Sequence, residues 1–360
     1  MSPLGRRLAE RIARSGPITV ADYMAAALGD PEHGYYRHAD PLGAQGDFTT
    51  APEISQLFGE LIGAWLIDCW DQAGRPERLN LVELGPGRGT LMADILRVGR
   101  HVPEWLKAAQ VHLVEINPRL RHAQAAALVG HAPQWHESFA TVPDGPVLLV
   151  ANEFLDAMPI RQLVFMNGAW RERLVDWNTE SGLHFAPSKE RSPLSLLVPP
   201  GVLAHEGAVF ELSPAVVSVT TEIARRITAQ GGAGLFVDYG RGESATGESL
   251  QAVSAHRMVP VLENPGAADL SAHVDFALLG RVARDAGAVV AGPVTQGAFL
   301  RALGIGIRAD RLRRGLSGDA ADALDQAVER LIGGQAMGQL FKALAIVPSG
   351  GIHPVGFEPA

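Results

Sequence analysis

Apolar residues along this chain fall into two rhythms. Four short runs, Leu79-Asn-Leu-Val-Glu-Leu84, Gln110-Val-His-Leu-Val-Glu115, Pro146-Val-Leu-Leu-Val-Ala-Asn152 and Gly234-Leu-Phe-Val-Asp-Tyr-Gly240, have the look of buried parallel strands. Elsewhere apolar positions recur three and four apart, as on a helix face. Such faces are Leu4, Leu8 and Ile12; Tyr23, Met24, Ala27 and Leu28; and a long stripe from Ile54 through Leu57, Phe58, Leu61, Ile62 and Trp65 to Cys69. Thr19 with Asp22, and Thr50 with Glu53, have the spacing of capping boxes that should open the second helix and the long stripe. Further helices are predicted over 91–97, after Asn117-Pro118, over 214–228, from Phe276, near Phe299 and over 320–332. A last strand is expected over Leu340–Val347, and the Gly/Ser-rich run 240–254 reads as a loop.

Residues 161–212 break this alternation. Arg161–Met166, Trp170–Trp177 and Leu183–Phe185 read as short, partly alternating strands, interrupted by Pro193, Pro199 and Pro200, and predict an antiparallel insertion. Gly29–Ala51 has no sustained period and contains Pro31, Gly34, Tyr35-Tyr36, Pro41, Gly43 and Gly46-Asp-Phe-Thr-Thr50. So long an irregular stretch suits a lid over a ligand.

The chemistry is concentrated where the first strand ends. Gly85, Gly87 and Gly89 offer bare backbone, and the helix that follows presents free N–H groups. The spacing is G-x-G-x-G, not the G-x-G-x-x-G of dinucleotide sites, and Glu83 precedes it. A carboxylate there repels a pyrophosphate and attracts the amino group of an aminoacyl-type cofactor. One βα unit later, Glu115 is placed to accept two hydrogen bonds from a ribose diol. Around Trp135-His-Glu-Ser-Phe139, a polar side chain, Ser138, and a ring could bracket an adenine. Asn152, Glu153 and Asp156 follow a central strand, where open α/β sheets place their chemistry.

Composition narrows the classes. Forty-seven per cent hydrophobic and 19% charged residues suit a globular chain, and a net charge of −8 argues against general nucleic-acid binding. One cysteine, Cys69, excludes an internal disulfide, and the twelve histidines show no H-x-H or H-E-x-x-H spacing, so no metal is expected. No G-x-S-x-G elbow supplies a hydrolase nucleophile. No apolar run approaches the ~20 residues of a membrane span. Arg6, Arg7, Arg11 and Arg14 hint at a presequence, but Glu10 and the short length speak against it, so a cytoplasmic protein is expected.

In order along the chain, Gly46-Asp-Phe-Thr-Thr50, Val82-Glu-Leu-Gly-Pro-Gly-Arg-Gly89, Val114-Glu-Ile-Asn117, Ala151-Asn-Glu-Phe-Leu-Asp-Ala157 and Val237-Asp-Tyr-Gly240 resemble the MidA family of class I S-adenosyl-L-methionine-dependent methyltransferases. The family includes a mitochondrial complex I assembly factor that is a protein arginine methyltransferase. The resemblance runs from about residue 17 to the last strand. It implies an α/β, Rossmann-like fold: a mostly parallel seven-stranded sheet with an antiparallel edge strand, an N-terminal helical extension and an antiparallel insertion. On that basis residues 1–78 form a helical and lid segment, 79–160 the cofactor-binding βα core, 161–213 the insertion and 214–360 the rest of the sheet.

The resemblance implies S-adenosyl-L-methionine as cofactor, with Glu83, Gly85, Gly87, Gly89 and Glu115 as contacts, joined by Gly46 and Asn152. Asn152-Glu153-Phe154 stands where nucleobase amino methyltransferases carry Asn-Pro-Pro-Tyr, which disfavours a nucleic-acid substrate. The implied activity is methylation of arginine on a protein such as a respiratory complex I subunit. Paired carboxylates would hold the planar guanidinium, and Glu153 and Asp156 are the candidates, with Asp47 and Asp238 in reserve. A small-molecule or other protein methyltransferase, and a cofactor-binding assembly chaperone without catalysis, are the alternatives.

Overall fold

The structure, a computed structural model, describes residues 1–38 and 49–358. The described residues fall into two compact units. The first draws on Met1–Phe48, Asp156–Ser218 and Glu243–Asp275; the second on Thr49–Leu155, Val219–Gly242 and Phe276–Ala360.

The second unit is built on a sheet. In chain order its strands are β1 (Leu79–Leu84), β2 (Ala109–Val114), β3 (Gln134–His136), β4 (Val147–Asn152), β5 (Gly232–Arg241), β6 (Val289–Thr295) and β7 (Phe341–Val347). They lie in the spatial order β6-β7-β5-β4-β1-β2-β3. Strands β5, β4, β1, β2 and β3 pair in parallel. The antiparallel strand, expected at an edge, is β7, which lies one position inward between β5 and β6. β6 escaped the apolar-run criterion because Gly292 and Pro293 interrupt it and the register shifts there.

β1 and β4 are buried at every residue, as strands covered on both faces must be. The long predicted helix is broken at Ser55: a short turn of helix, Ala51–Ile54, precedes α1 (Gln56–Gln72), whose Ser55 cap accepts the Leu57 N–H at 3.2 Å. The expected Thr50 capping box does not form, because the Glu53 carboxylate turns instead to accept the Thr90 hydroxyl at 2.6 Å. Two glycines on α1 let it approach α2 (Thr90–Gly99) closely. A Cβ on Gly59 would lie 2.5 Å from Asp94 Cβ, and one on Gly63 3.1 Å from Ile95 Cα. Around this crossing, Phe58, Ile62, Trp65, Leu66, Met92 and Ile95 join the buried core. Cys69 is buried in it and free, and burial pushes its thiol pKa up.

The first unit carries the antiparallel insertion. Arg161–Met166 pairs with Ala169–Asn178 and with Val209–Leu212, and Ala169–Asn178 pairs with Gly182–Arg191. Helix Pro3–Ser15 buries Leu4, Leu8 and Ile12, and helix Val20–Gly29 starts at the predicted Thr19/Asp22 capping box. Both add to a core with Tyr23, Met24 and Val175. The run 240–254 is not all loop: Gln251–Ser254 is a strand between Arg257–Val259 and Asp269–Ser271. Among the described residues no helix is long and apolar enough to cross a membrane.

Candidate active site

Buried β1 ends at the glycine turn, so the turn is anchored on the sheet. Gly85, Gly87 and Gly89 have φ of 62°, 54° and 85°, a region that side chains occupy only under strain. Space is short as well, since a Cβ on Gly85 would lie 2.8 Å from Phe154 Cδ2. Gly89 is the N-cap of α2 and has no side chain with which to cap it. Glu83 does so from the neighbouring strand, its carboxylate accepting the Met92 N–H. Glu83 is 3% exposed, and burial pushes its pKa up to about 8, with Asp94 acting in the same direction and the Met92 bond opposing. Glu83 Oε2 has no hydrogen-bond partner among the described residues.

Glu115 follows β2 and is buried. Its Oε1 accepts the Asn117 N–H at 2.7 Å and its Oε2 the Gln124 amide at 3.3 Å. Burial raises its pKa against the pull of those bonds. The Ile116 N–H bonds to it as well, and a carboxylate has about four lone-pair sites, so room for about one further donor is left. Ser138 is exposed, and its hydroxyl accepts the Ala140 N–H at 3.1 Å, opening the turn Phe139–Thr141. Phe139 is buried beneath the Arg226 guanidinium, 4.5 Å from its centroid, so its ring is not open to an adenine. The Trp135 indole is tied to Gln124.

Asn152 ends β4, buried, with Oδ1 lacking a partner among the described residues and Nδ2 donating to Glu153 Oε1 at 3.1 Å. Glu153 has a φ of 50°, a left-handed conformation that costs a non-glycine residue about 1–3 kcal/mol. Its N–H is held by the Val237 carbonyl at 2.9 Å, and its Oε1 also accepts the Ala51 N–H at 3.0 Å. Asp238, a reserve candidate, is buried and committed to backbone: Oδ2 accepts Phe154 and Leu155 N–H at 3.2 and 3.0 Å, and Oδ1 accepts Tyr239 N–H at 2.9 Å. It therefore straps down the segment after Glu153. Nothing in the sequence announces that role, because Asp238 lies 84 residues from Phe154.

Asp156 belongs to the first unit. There it is buried, and its carbonyl accepts the Ala272 N–H at 2.9 Å. Its charge acts on Tyr36, whose phenol is pushed up by burial first, then by Asp269 and Asp156; the Tyr36 hydroxyl donates to Asp269 Oδ1 at 3.0 Å. Gly46 and Asp47 lie outside the described residues. Among the described residues no group of three or more His, Cys, Asp or Glu is placed to hold a metal.

A ligand for the second unit's site needs bare backbone at its middle and donors or positive charge for the buried oxygens of Glu83 and Asn152. A nucleoside bearing an amino acid meets both demands. Residues 61–294 match the model of a family described as "Putative S-adenosyl-L-methionine-dependent methyltransferase". The chain belongs to this family. The methyltransferase is also similar to curated relatives over nearly its whole length. It is 39% identical to a Xenopus tropicalis protein named "Protein arginine methyltransferase NDUFAF7, mitochondrial", covering 94% of this chain and 84% of the relative. It is 34% identical to the human protein of that name, covering 97% and 84%. A crystal structure of a COG1565 superfamily member from Burkholderia thailandensis, bound to S-adenosyl-homocysteine, superposes with a TM-score of 0.81 at 27% identity, covering 99% of this chain and 93% of that one. The resemblance to MidA proteins, the methyltransferase fold and the use of S-adenosyl-L-methionine stand on these matches together with the sheet.

Proposed function

We propose that this methyltransferase methylates arginine side chains of a protein substrate, of the class of respiratory complex I subunits. The observation that carries the reading is the extended similarity to relatives named as protein arginine methyltransferases. The Glu153 carboxylate, held from both its backbone and its side chain at the end of β4, supports it.

Glu83, Gly85, Gly87, Gly89, Glu115 and Asn152 are assigned to the cofactor, and Ser138 and Gly46 are carried forward as candidates from the sequence. The glycine turn receives the cofactor's body, Glu83 and Asn152 its amino-acid end, and Glu115 its ribose. When bound, the cofactor supplies an electrophilic methyl group and departs as a neutral thioether. Glu153 receives the guanidinium through N–H···O bonds, in the planar geometry that suits a carboxylate. Its charge draws positive charge toward that edge, leaving the lone pair of the remaining nitrogen less delocalised and free to form the new N–C bond. Glu153 then takes the proton that nitrogen sheds. Asp156, which belongs to the first unit, is carried forward as a catalytic candidate from the sequence.

Cytoplasmic placement is likewise part of the proposal. The arginine-bearing first helix packs Leu4, Leu8 and Ile12 into the first unit's core, as a structural element does. Its relatives are named mitochondrial, so fractionation of the source cells is the check. For the activity, lysate from cells lacking this chain is given the enzyme and labelled S-adenosyl-L-methionine. Label recovered as methylarginine after hydrolysis of the protein fraction is expected; label confined to small molecules would overturn the reading.

A further inference from the structure

Gln124 lies on α3 (Pro118–Ala127) and is completely buried. Its Nε2 donates to the Gly87 carbonyl at 2.7 Å and to Glu115 Oε2 at 3.3 Å, while its Oε1 accepts the Trp135 indole N–H at 2.8 Å. An indole N–H can only donate, and a carbonyl or ionised carboxylate can only accept, so the partners fix which way the amide faces. The glycine turn packs on the same residue: a Cβ on Gly89 would lie 3.3 Å from Gln124 Cα and 3.5 Å from its Cγ. One amide therefore joins three pieces of chain that arrive from different βα units: the turn after β1, the acid after β2, and β3.

We infer that Gln124 is a positioning residue for the cofactor, holding the Gly87 carbonyl and the Glu115 carboxylate at a fixed separation so that the turn and the ribose acid are set before the ligand arrives. The inference rests on reading Glu115 and the glycines as cofactor contacts. Two acceptors face each other across this amide, and its Nε2 donates to both. Remove that nitrogen, and Gly87 O and Glu115 Oε2 lose a buried donor at once. The Glu115 carboxylate also loses a bond that favours its ionised form, so its pKa rises further. Binding must then order the turn and the acid itself, and affinity falls by that cost.

The test is calorimetric titration of the full chain with S-adenosyl-homocysteine and with 5′-methylthioadenosine, which lacks the amino-acid end. Wild type is compared with Gln124→Glu, Gln124→Leu, Trp135→Phe and Glu115→Ala. Both Gln124 variants should bind both ligands about tenfold more weakly, the worth of one hydrogen bond to a charged group. In turnover, KM for the methyl donor should rise by about the same factor, while kcat at saturating donor falls no more than about threefold. Gln124→Glu carries the sharper signature. Its carboxylate opposes the Gly87 carbonyl and Glu115, so affinity should recover as pH falls and the new carboxyl gains a proton to donate. A side chain that merely filled space would give no such profile.

Should Gln124→Leu fail to melt cooperatively, Trp135→Phe keeps an aromatic body and removes only the bond to Oε1; it should weaken both ligands about threefold. Affinities within twofold of wild type in folded Gln124→Glu and Trp135→Phe, with Glu115→Ala weakened, would overturn the role of Gln124 alone. If wild type binds and Glu115→Ala binds equally well, the ribose assignment is wrong, and the positioning role falls with it.

Discussion

Glu153 Oε1 accepts the backbone N–H of Ala51 at 3.0 Å, across 102 residues of sequence. The same oxygen takes the Asn152 amide at 3.1 Å, and the residue's backbone sits at a φ of 50°. Two donors on one oxygen and a strained backbone fix where the carboxylate stands. Strain of this kind persists only where surrounding bonds over-determine it.

Glu153→Gln should therefore keep the fold and the cofactor affinity but lose methyl transfer. The neutral amide accepts fewer hydrogen bonds from a guanidinium and cannot take its proton. The measurement is kcat beside the dissociation constant for S-adenosyl-homocysteine. A loss of about 100-fold or more in kcat with affinity within about threefold is expected, in the range for a positioned proton acceptor. Unchanged turnover removes Glu153 from the mechanism.

Glu83 gives the ligand-free enzyme a pH dependence of definite sign. Its folded pKa is raised from 4.5 to about 8, so between those values the folded chain holds a proton that the unfolded chain has released. Stability from this group is present below the unfolded pKa, declines as pH rises toward 8, at up to about 1.4 kcal/mol per pH unit, and is flat above. Glu83→Gln should flatten the decline in chemical denaturation followed from pH 5 to 9. A cofactor ammonium that ionises Glu83 should also release a proton on binding near pH 7, visible by calorimetry in buffers of different ionisation enthalpy. Proton-neutral binding would take Glu83 out of contact with the charged end of the ligand.

Asp238→Asn should loosen the segment after β4. An amide oxygen cannot replace both carboxylate oxygens for the N–H groups of Phe154, Leu155 and Tyr239. Stripping a buried donor of its partner costs about 1–3 kcal/mol. Denaturant midpoints should fall accordingly, and kcat should fall with them because Glu153 leads this segment.

Gly59→Ala tests the crossing of α1 and α2. The new methyl would press within 2.5 Å of Asp94 Cβ, and overpacking of this sort costs about 1–3 kcal/mol. Gly74→Ala, at a φ of 82° but with open space around it, separates backbone strain from crowding. A Gly59→Ala protein as stable as wild type would mean that the helices part without cost.

Much of this was legible because burial leaves a mark on sequence. Buried β1, β4 and β5 are apolar runs, and the turn after β1 is marked by glycines that the backbone requires. What stayed hidden was carried by single long-range bonds or by polar helices. Helix Ile305–Arg313 buries only Ile305 fully, with Ala309 and Leu312 partly buried against the core, and its Arg308, Arg311 and Arg313 leave that apolar stripe short. Thr50 and Glu53 have capping-box spacing, yet Thr90, from a distant part of the chain, takes the Glu53 carboxylate. Gln124 and Asp238 declare themselves only when their partners are in place, because a glutamine within a helix and an acid at a strand end have many ordinary uses.

The most direct measurement is to incubate the enzyme and S-adenosyl-L-methionine with purified candidate complex I subunits and to locate any added methyl mass by fragmentation. That mass is expected on the guanidinium of a defined arginine, and is expected to be absent when Glu153→Gln replaces the wild-type enzyme. Methyl mass on a different residue type, or an undiminished arginine product from the variant, would contradict that expectation.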